Sequence, residues 1–106
     1  MKFKELSATI LDAAIAVHRA LGPRLLEKAY EFALMHELQL RGLRVERQVA
    51  VSVWYRGKEL RDAYFIDLLV EGKVVIELKV VEELIDVHRS QLLTYLKCGD
   101  YRLGLF

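Results

Sequence analysis

The sequence of 106 residues is poor in cysteine and proline, with one of each, and it has no long apolar run. A single cysteine, Cys98, cannot form an internal disulfide, and the N-terminus lacks the apolar stretch of a secretory signal. Uncharged runs fall far short of the roughly 18 residues that a membrane span requires. We therefore expect a protein of the reducing cytoplasm with no membrane association.

Several functional motifs are also missing from the sequence. It contains no glycine-rich phosphate loop, no dinucleotide-binding fingerprint and no recognisable Ser-His-Asp arrangement. The three histidines and Cys98 do not have the spacing of a zinc site. We expect no organic cofactor.

The composition is that of one compact soluble domain covering residues 1–106, with 54% hydrophobic and 29% charged residues. The net charge is only +1, so local patches must provide any attraction to a polyanion. Basic residues recur from Arg41 to Arg61, and Trp54 and Tyr55 interrupt them. Two interpretations stay open: solvated strand edges with packed aromatic rings, or phosphate contacts with rings that stack on bases.

The first 42 residues predict a helical hairpin. Apolar residues at spacings of three and four indicate a helix that Ser7 caps and that ends at Gly22-Pro23. A second helix follows from about Leu25 to Arg41, with Leu26 on its inner face, and Gly42 is placed as a left-handed cap.

Period-two patterns after Arg44 predict strands. The first runs to Tyr55, the turn Arg56-Gly57-Lys58 leads into a second that runs through Val70, and a third runs from Val74 to Val81. A helix over about Asp86–Cys98 and a last strand over Tyr101–Phe106 follow. The order is αα-βββ-α-β, and the fold class is α/β. A crossover helix makes the last strand parallel to the third, whereas the first three form an antiparallel meander, so helices flank a mixed sheet. The apolar end indicates either a shortened C-terminus or an end covered by another subunit.

Two carboxylates and a lysine interrupt the otherwise apolar stretch from Asp67 to Lys79. A charge inside a sheet core costs several kcal/mol unless it is paired, protonated or bound to a metal. Because side chains alternate along a strand, Glu77 and Lys79 share a face. Asp67 joins that face only if the loop around Glu71-Gly72-Lys73 has an odd number of residues. The hypothesis of a common site therefore predicts an odd loop or a bulge.

Oxygen ligands of this kind suit a hard cation. Asp67 and Glu77 would hold Mg²⁺ or Mn²⁺ together with the backbone carbonyl of Leu78. Lys79 would orient the attacking water or help to deprotonate it while a phosphodiester is cleaved. The alternative is a buried salt bridge of Lys79 with Glu77 or Asp67 that holds the strands in register.

Three motifs carry a family resemblance. The spacing of Asp67 from Glu77-x-Lys79 resembles the PD-(D/E)XK nuclease superfamily, and the segment from Arg24 through Glu27 to Tyr30 resembles the GxxExxY proteins, with Arg24 at the position of the first signature glycine. The run from Gln91 to Tyr95 resembles the Gln-x-x-x-Tyr motif of RecB-like nucleases. The resemblance implies a restriction-endonuclease-like core that hydrolyses DNA.

The resemblance also implies further site residues. Glu27 would join the metal site, and Gln91 and Tyr95, which share a helix face, would reach a phosphate or brace the metal ligands. The alternatives are that Glu27 only favours the dipole of its helix and that Gln91 and Tyr95 form a polar helix rim. Because so small a core offers little surface for DNA, we expect a homodimer. Two other functions stay open: a catalytically inactive module that binds nucleic acid or a protein, and a structural dimer subunit whose activity needs another chain.

Overall fold

The computed structural model describes residues 2–22, 25–78 and 103–105, and the side chains of these residues except those of Phe3 and residues 103–105. The elements are α1 (Phe3–Leu21), α2 (Glu27–Leu40), β1 (Val45–Tyr55), β2 (Lys58–Val70), β3 (Val74–Ile76) and β4 (Leu103–Leu105). The mixed α/β class, the two leading helices and the antiparallel three-stranded sheet are confirmed. The predicted helix over Asp86–Cys98 lies outside the described residues.

Helix α1 begins earlier than the sequence pattern indicated. It starts at Phe3, so the prediction that Ser7 caps it is wrong. The backbone N–H of Lys2 donates to the carboxylate of Glu5 at 3.4 Å, which supports the first turn without a hydroxyl cap. The helix ends at Leu21, before Gly22, as predicted.

Helix α2 begins at Glu27, two residues after the predicted start. Leu26 is 84% exposed and therefore does not belong to the inner face. The hydroxyl of Tyr30 donates to the carbonyl of Gly22 and accepts the N–H of Leu25 at 3.2 Å, so this ring holds the chain as it enters α2. Gly42 has φ +82°, which confirms its left-handed position after the helix.

The main core lies between the helices and one face of the sheet. Its buried residues come from α1, from α2 and the residue that follows its cap, and from β2 and β3: Leu6, Ile10, Ala13, Val17, Leu34, Leu38, Leu43, Leu68, Val70, Val74 and Ile76. A smaller cluster comprises Val51, Ile66, Leu69 and Val75, with Val49 packed against it. This packing fixes β2 and β3 as the rigid support for their polar neighbours.

The turn between β2 and β3 sets their register. Val70 pairs with Val74, so the loop comprises the three residues 71–73, and the predicted odd loop is confirmed. Glu71 has φ +54° and Gly72 has φ +64°, two successive left-handed conformations that only glycine adopts without strain. Strand pairing of β3 ends at Ile76 in the described part of the chain, earlier than the predicted Val81.

A reciprocal contact secures this turn to the start of β1. The N–H of Glu71 donates to the carbonyl of Arg44 at 2.9 Å. In return, the Nε–H of Arg44 donates to the Glu71 carboxylate at 3.1 Å. This side-chain hydrogen bond is the main reason why the pKa of Glu71 lies below its ordinary value.

Strand β4 pairs in parallel with β3, from Val74 with Leu103 to Ile76 with Leu105. The sheet order is β1-β2-β3-β4. Among the described residues, no helix is both long and apolar enough to cross a membrane.

The contact between Arg44 and Glu71 predicts a pH-dependent contribution to stability. The lowered pKa in the folded state means that the carboxylate stabilises the protein above the ordinary glutamate pKa of about 4.3, and that this stabilisation is lost as the pH falls through the folded-state pKa. We expect Glu71→Gln to lower the free energy of unfolding at pH 7 and to match the wild type once Glu71 is protonated. Urea unfolding at several pH values measures this difference.

Glu46→Gln is the matched control, because Glu46 is exposed on β1 and forms no ion pair with the described residues. A difference between wild type and Glu71→Gln that stays constant from pH 7 to pH 3 would contradict the assignment.

Candidate functional site

Asp67 and Glu77 lie where the pairing of β2 with β3 ends. The last paired residues are Leu68 and Ile76, so Asp67 and Glu77 occupy the next opposing positions. The backbone N–H of Asp67 points to Oε1 of Glu77 at 3.5 Å, the outer limit of a hydrogen bond. Asp67 is half-buried, and Glu77 is 1% exposed. Two carboxylate residues predicted to share a site are thus brought together, at the edge of the core.

The chain that leaves β3 holds the carboxylate of Asp67. The backbone N–H of Leu78 donates to Oδ2 of Asp67 at 2.8 Å, the short distance expected when the acceptor is charged. The side chain of Asp67 therefore reaches across to the segment that carries Glu77. Its second oxygen, Oδ1, points to a different partner on β1.

That partner is Gln48, whose side-chain nitrogen bridges two carboxylates. Nε2 of Gln48 donates to Oδ1 of Asp67 at 3.2 Å and to Oε1 of Glu31 at 2.9 Å. An amide NH₂ carries two protons, so one nitrogen can serve both acceptors. Glu31, on α2, is only 5% exposed. A third acidic residue is thereby connected to the site from the helical layer.

At this bridge, the regular alternation of side chains between the two faces of the sheet is broken in both β1 and β2. Residues two apart in a regular strand share a face, yet Leu68 belongs to the core beneath the helices and Ile66 to the smaller cluster. On β1, Arg47 contacts Glu31 of α2, whereas Val49 packs against the smaller cluster. Gln48, between them, has φ +52°. The break in the pleat therefore lies at Gln48 and Asp67, the two residues that are joined by their side chains.

Arg47 compensates the buried charge of Glu31. Its Nε lies 3.4 Å from Oε1 of Glu31, and its guanidinium group stands 4.4 Å from the centre of the Phe32 ring. Nε of Arg47 has no hydrogen-bond partner in the described part of the chain, so this contact is an ion pair. A buried carboxylate needs such a partner because desolvation is otherwise unfavourable by several kcal/mol.

The other predicted site residues are placed as follows. Glu27 is the first residue of α2 and is exposed. Leu78 is half-buried and packs against the main core. Lys79, Gln91 and Tyr95 lie outside the described residues. Across residues 2–22, 25–78 and 103–105, no group of three or more histidine, cysteine, aspartate or glutamate side chains is arranged to hold a metal ion.

The sequence analysis missed Glu31 and Gln48. Glu31 follows Glu27 by one helical turn, so its spacing placed it on the same face and could have been noticed. Gln48 had the appearance of a solvated residue because it alternates with valines. Its left-handed backbone angle breaks that alternation. The three consecutive polar residues Glu46, Arg47 and Gln48 are the signal in the sequence that could have indicated the break.

The donor set fits a hard cation. Asp67 and Glu77 offer carboxylate oxygens, and Leu78 adds a backbone carbonyl. Mg²⁺ characteristically binds through one or two carboxylates and keeps several waters for a substrate phosphate. The two carboxylates therefore match the ligands that Mg²⁺ prefers, and the side-chain amide of Gln48 connects Glu31 to Asp67.

Comparison with protein families gives a match. The family model described as the PD-(D/E)XK nuclease superfamily matches residues 4–106, nearly the whole chain. No curated protein and no solved structure matches.

The amide bridge predicts a stability cost on its removal. Gln48→Leu leaves the buried oxygen of Glu31 without this donor, which costs about 1–3 kcal/mol, whereas water can replace the donor at the exposed oxygen of Asp67. We expect a clear fall in the urea midpoint. Gln39→Leu, at an exposed position of α2, is the control for adding an apolar side chain. Equal midpoints for Gln48→Leu and wild type would show that the bridge does not stabilise the fold.

Proposed function

This chain belongs to the PD-(D/E)XK nuclease superfamily, and on that premise we propose that it hydrolyses phosphodiester bonds of DNA with a divalent metal ion. The observation that carries the proposal is the convergence of the Asp67 carboxylate and the buried Glu77 at the open end of the β2–β3 pair. Nucleases of this superfamily generally use divalent metal ions. A buried carboxylate beside a second one is unfavourable unless a cation or hydrogen-bond donors compensate its charge, and a divalent metal ion would do so.

We assign the metal-binding role to Asp67, Glu77 and the carbonyl of Leu78, with Mg²⁺ or Mn²⁺ as the ion. When bound, the ion supplies charge that polarises the scissile phosphate. The hydrogen bond from Leu78 to Oδ2 orients the Asp67 carboxylate, and the Gln48 amide orients its other oxygen. Orientation of this kind matters because removal of the hydrogen-bond partners of a metal ligand typically lowers the metal affinity or the activity of a protein by 10–100-fold.

Lys79 completes the catalytic group in this proposal. It follows Leu78 in the chain, and its ammonium group would orient the attacking water or help to deprotonate it. Glu27, Gln91 and Tyr95 receive the roles that the family motifs imply: Glu27 near the metal, Gln91 and Tyr95 at a phosphate or behind the ligands. We also place the chain among the GxxExxY proteins and take the connection from β3 to β4 as a crossover helix, which completes the order αα-βββ-α-β.

We further propose a cytoplasmic homodimer that uses the strand edge or the helical hairpin. A core of this size offers little surface for DNA, and two copies related by a twofold axis would double it. Light scattering measures the mass in solution, and a monomer at all concentrations would contradict the dimer.

A second function is a catalytically inactive module that binds nucleic acid or a protein partner. One observation favours it: the protein itself already supplies hydrogen-bond donors to both oxygens of Asp67, from Gln48 and Leu78. A carboxylate satisfied in this way can serve as structure alone.

Cleavage assays test the nuclease. We expect the wild type to cut single-stranded, duplex or branched DNA with Mg²⁺ or Mn²⁺ and to be inactive with a chelator. Glu77→Gln and Lys79→Ala should each lower the rate by at least about 100-fold, since they remove a metal ligand and a group that handles the water.

Circular dichroism on each variant shows whether the fold is retained, and Glu46→Gln controls for the loss of a carboxylate elsewhere. Equal cleavage by wild type, Glu77→Gln and Lys79→Ala would refute the assignment of the site.

Titration calorimetry with Mn²⁺ distinguishes the two functions without any substrate. For the nuclease, we expect binding that Asp67→Asn weakens by 10-fold or more, because a neutral amide is a poorer ligand for a hard cation. The inactive module predicts no carboxylate-dependent heat, while DNA or a partner still binds.

A further inference from the structure

The β1–β2 hairpin continues well past the core. We use the term hairpin arm for residues 52–65, every one of which is exposed or half-buried, whereas Val51 and Ile66 at its base are buried. The part of β2 that pairs with β3 is its other end, Leu68–Val70. The arm therefore stands out from the sheet with only its own two strands paired in the described structure.

Aromatic side chains are concentrated on this arm without being used to pack a core. Trp54 is 68% exposed and Tyr55 is 62% exposed, and Tyr64 and Phe65 are exposed as well. Trp54 pairs with Glu59 and Tyr55 with Lys58, so the two rings project from opposite faces next to the tip. Exposing large rings to water is unfavourable, and a group of them typically marks a binding surface.

The charges of the tip are cationic and accessible. Arg56 and Lys58 flank Gly57 in the turn, and neither forms an ion pair with the described residues. The guanidinium group of Arg56 lies 5.7 Å from the centre of the Tyr55 ring. Glu59 is engaged by the hydroxyl of Ser52 and by Arg61, which reduces its repulsion toward an anion.

The other arginines of the basic stretch are already paired. Arg41 contacts Glu37, Arg44 contacts Glu71, and Arg47 contacts Glu31. The cations available to a polyanion in this stretch are therefore those of the arm, beside the exposed rings.

We propose that the hairpin arm binds a single-stranded segment of nucleic acid, with bases stacked on Trp54 and Tyr55 and backbone phosphates on Arg56 and Lys58. Base stacking on aromatic rings combined with cationic contacts to the backbone is how proteins hold single strands without reading their sequence. A strand that crosses the tip meets both rings and both cations. The choice of nucleic acid as the ligand rests on the proposed function, and the arm would hold an unpaired strand roughly 25 Å along β2 from Asp67.

A second copy of the chain fits this surface less well. A self-complementary interface needs one continuous face of roughly 800 Å² on each partner. The rings here project from both faces and alternate with cations, which would repel those of another copy.

Trp54 provides a direct test because it is the only tryptophan. We expect oligo(dT) to quench its fluorescence in the Glu77→Gln background, in which cleavage is removed. Fluorescence anisotropy of labelled oligo(dT) should show about tenfold weaker binding for Trp54→Ala or Tyr55→Ala, and binding near the wild-type level for Trp54→Phe. Leu40→Ala, at an exposed position of α2, should leave the affinity unchanged.

Salt dependence tests the cations separately. Replacing Arg56 by Gln should lower the slope of log K against log salt by about 0.7, the value for one phosphate contact to a single strand. Labelled oligo(U) should bind about as well as oligo(dT), since stacking does not read the sugar, whereas blunt duplex DNA should bind more weakly.

The outcomes separate the arm from the catalytic site. Unchanged affinity in both ring variants, with cleavage intact, would refute the arm and leave the nuclease. If Trp54→Ala and Tyr55→Ala lose the mass of a dimer in light scattering but still bind oligo(dT), the rings contact a second copy. That result would also refute the arm. Ring-dependent binding in a chain that never cleaves would support the arm and refute the nuclease.

Discussion

The three-residue turn between β2 and β3 is the constraint on which the site depends. The loop comprises three residues, 71–73, and this odd length puts Asp67 opposite Glu77. A loop shorter by one residue would put Ile76 there and send the glutamate to the other face. The contact of Glu71 with Arg44 holds this geometry against the strain of φ +54° at Glu71.

Asp67 and Glu31 are tolerated because each has a specific compensation. Asp67 accepts an N–H from the chain beyond β3 and an amide from β1, and Glu31 is opposed by Arg47 and the same amide. These contacts join three elements: α2, β1 and β2. At the site, polar contacts therefore join the helical layer to the sheet. The site forms only when the helical layer packs correctly on the sheet.

Sequence reasoning found what depends on local pattern. The helix spacing and the strand alternation follow from short-range periodicity, whereas the odd length of the turn was a requirement of the hypothesis that Asp67 and Glu77 share a site. Sequence reasoning failed where a single residue departs from the periodic pattern of its helix or strand. Glu5 replaced the hydroxyl expected of Ser7 in the first turn of α1, and the angle of Gln48 redirected a strand that the valines around it made look regular. The bridge from Glu31 needs tertiary contact, which no spacing reveals.

Strand β1 lies at one edge of the described sheet, and its irregularity has a consequence for pairing with other chains. A long flat edge exposes unpaired backbone groups and can recruit copies of itself into fibrils. The left-handed angle of Gln48 and the register shift between Val51 and Val53 interrupt that edge, which makes it a poorer template for pairing with a strand of another molecule. The residue that connects Asp67 to Glu31 thus also contributes to the irregularity of the sheet edge.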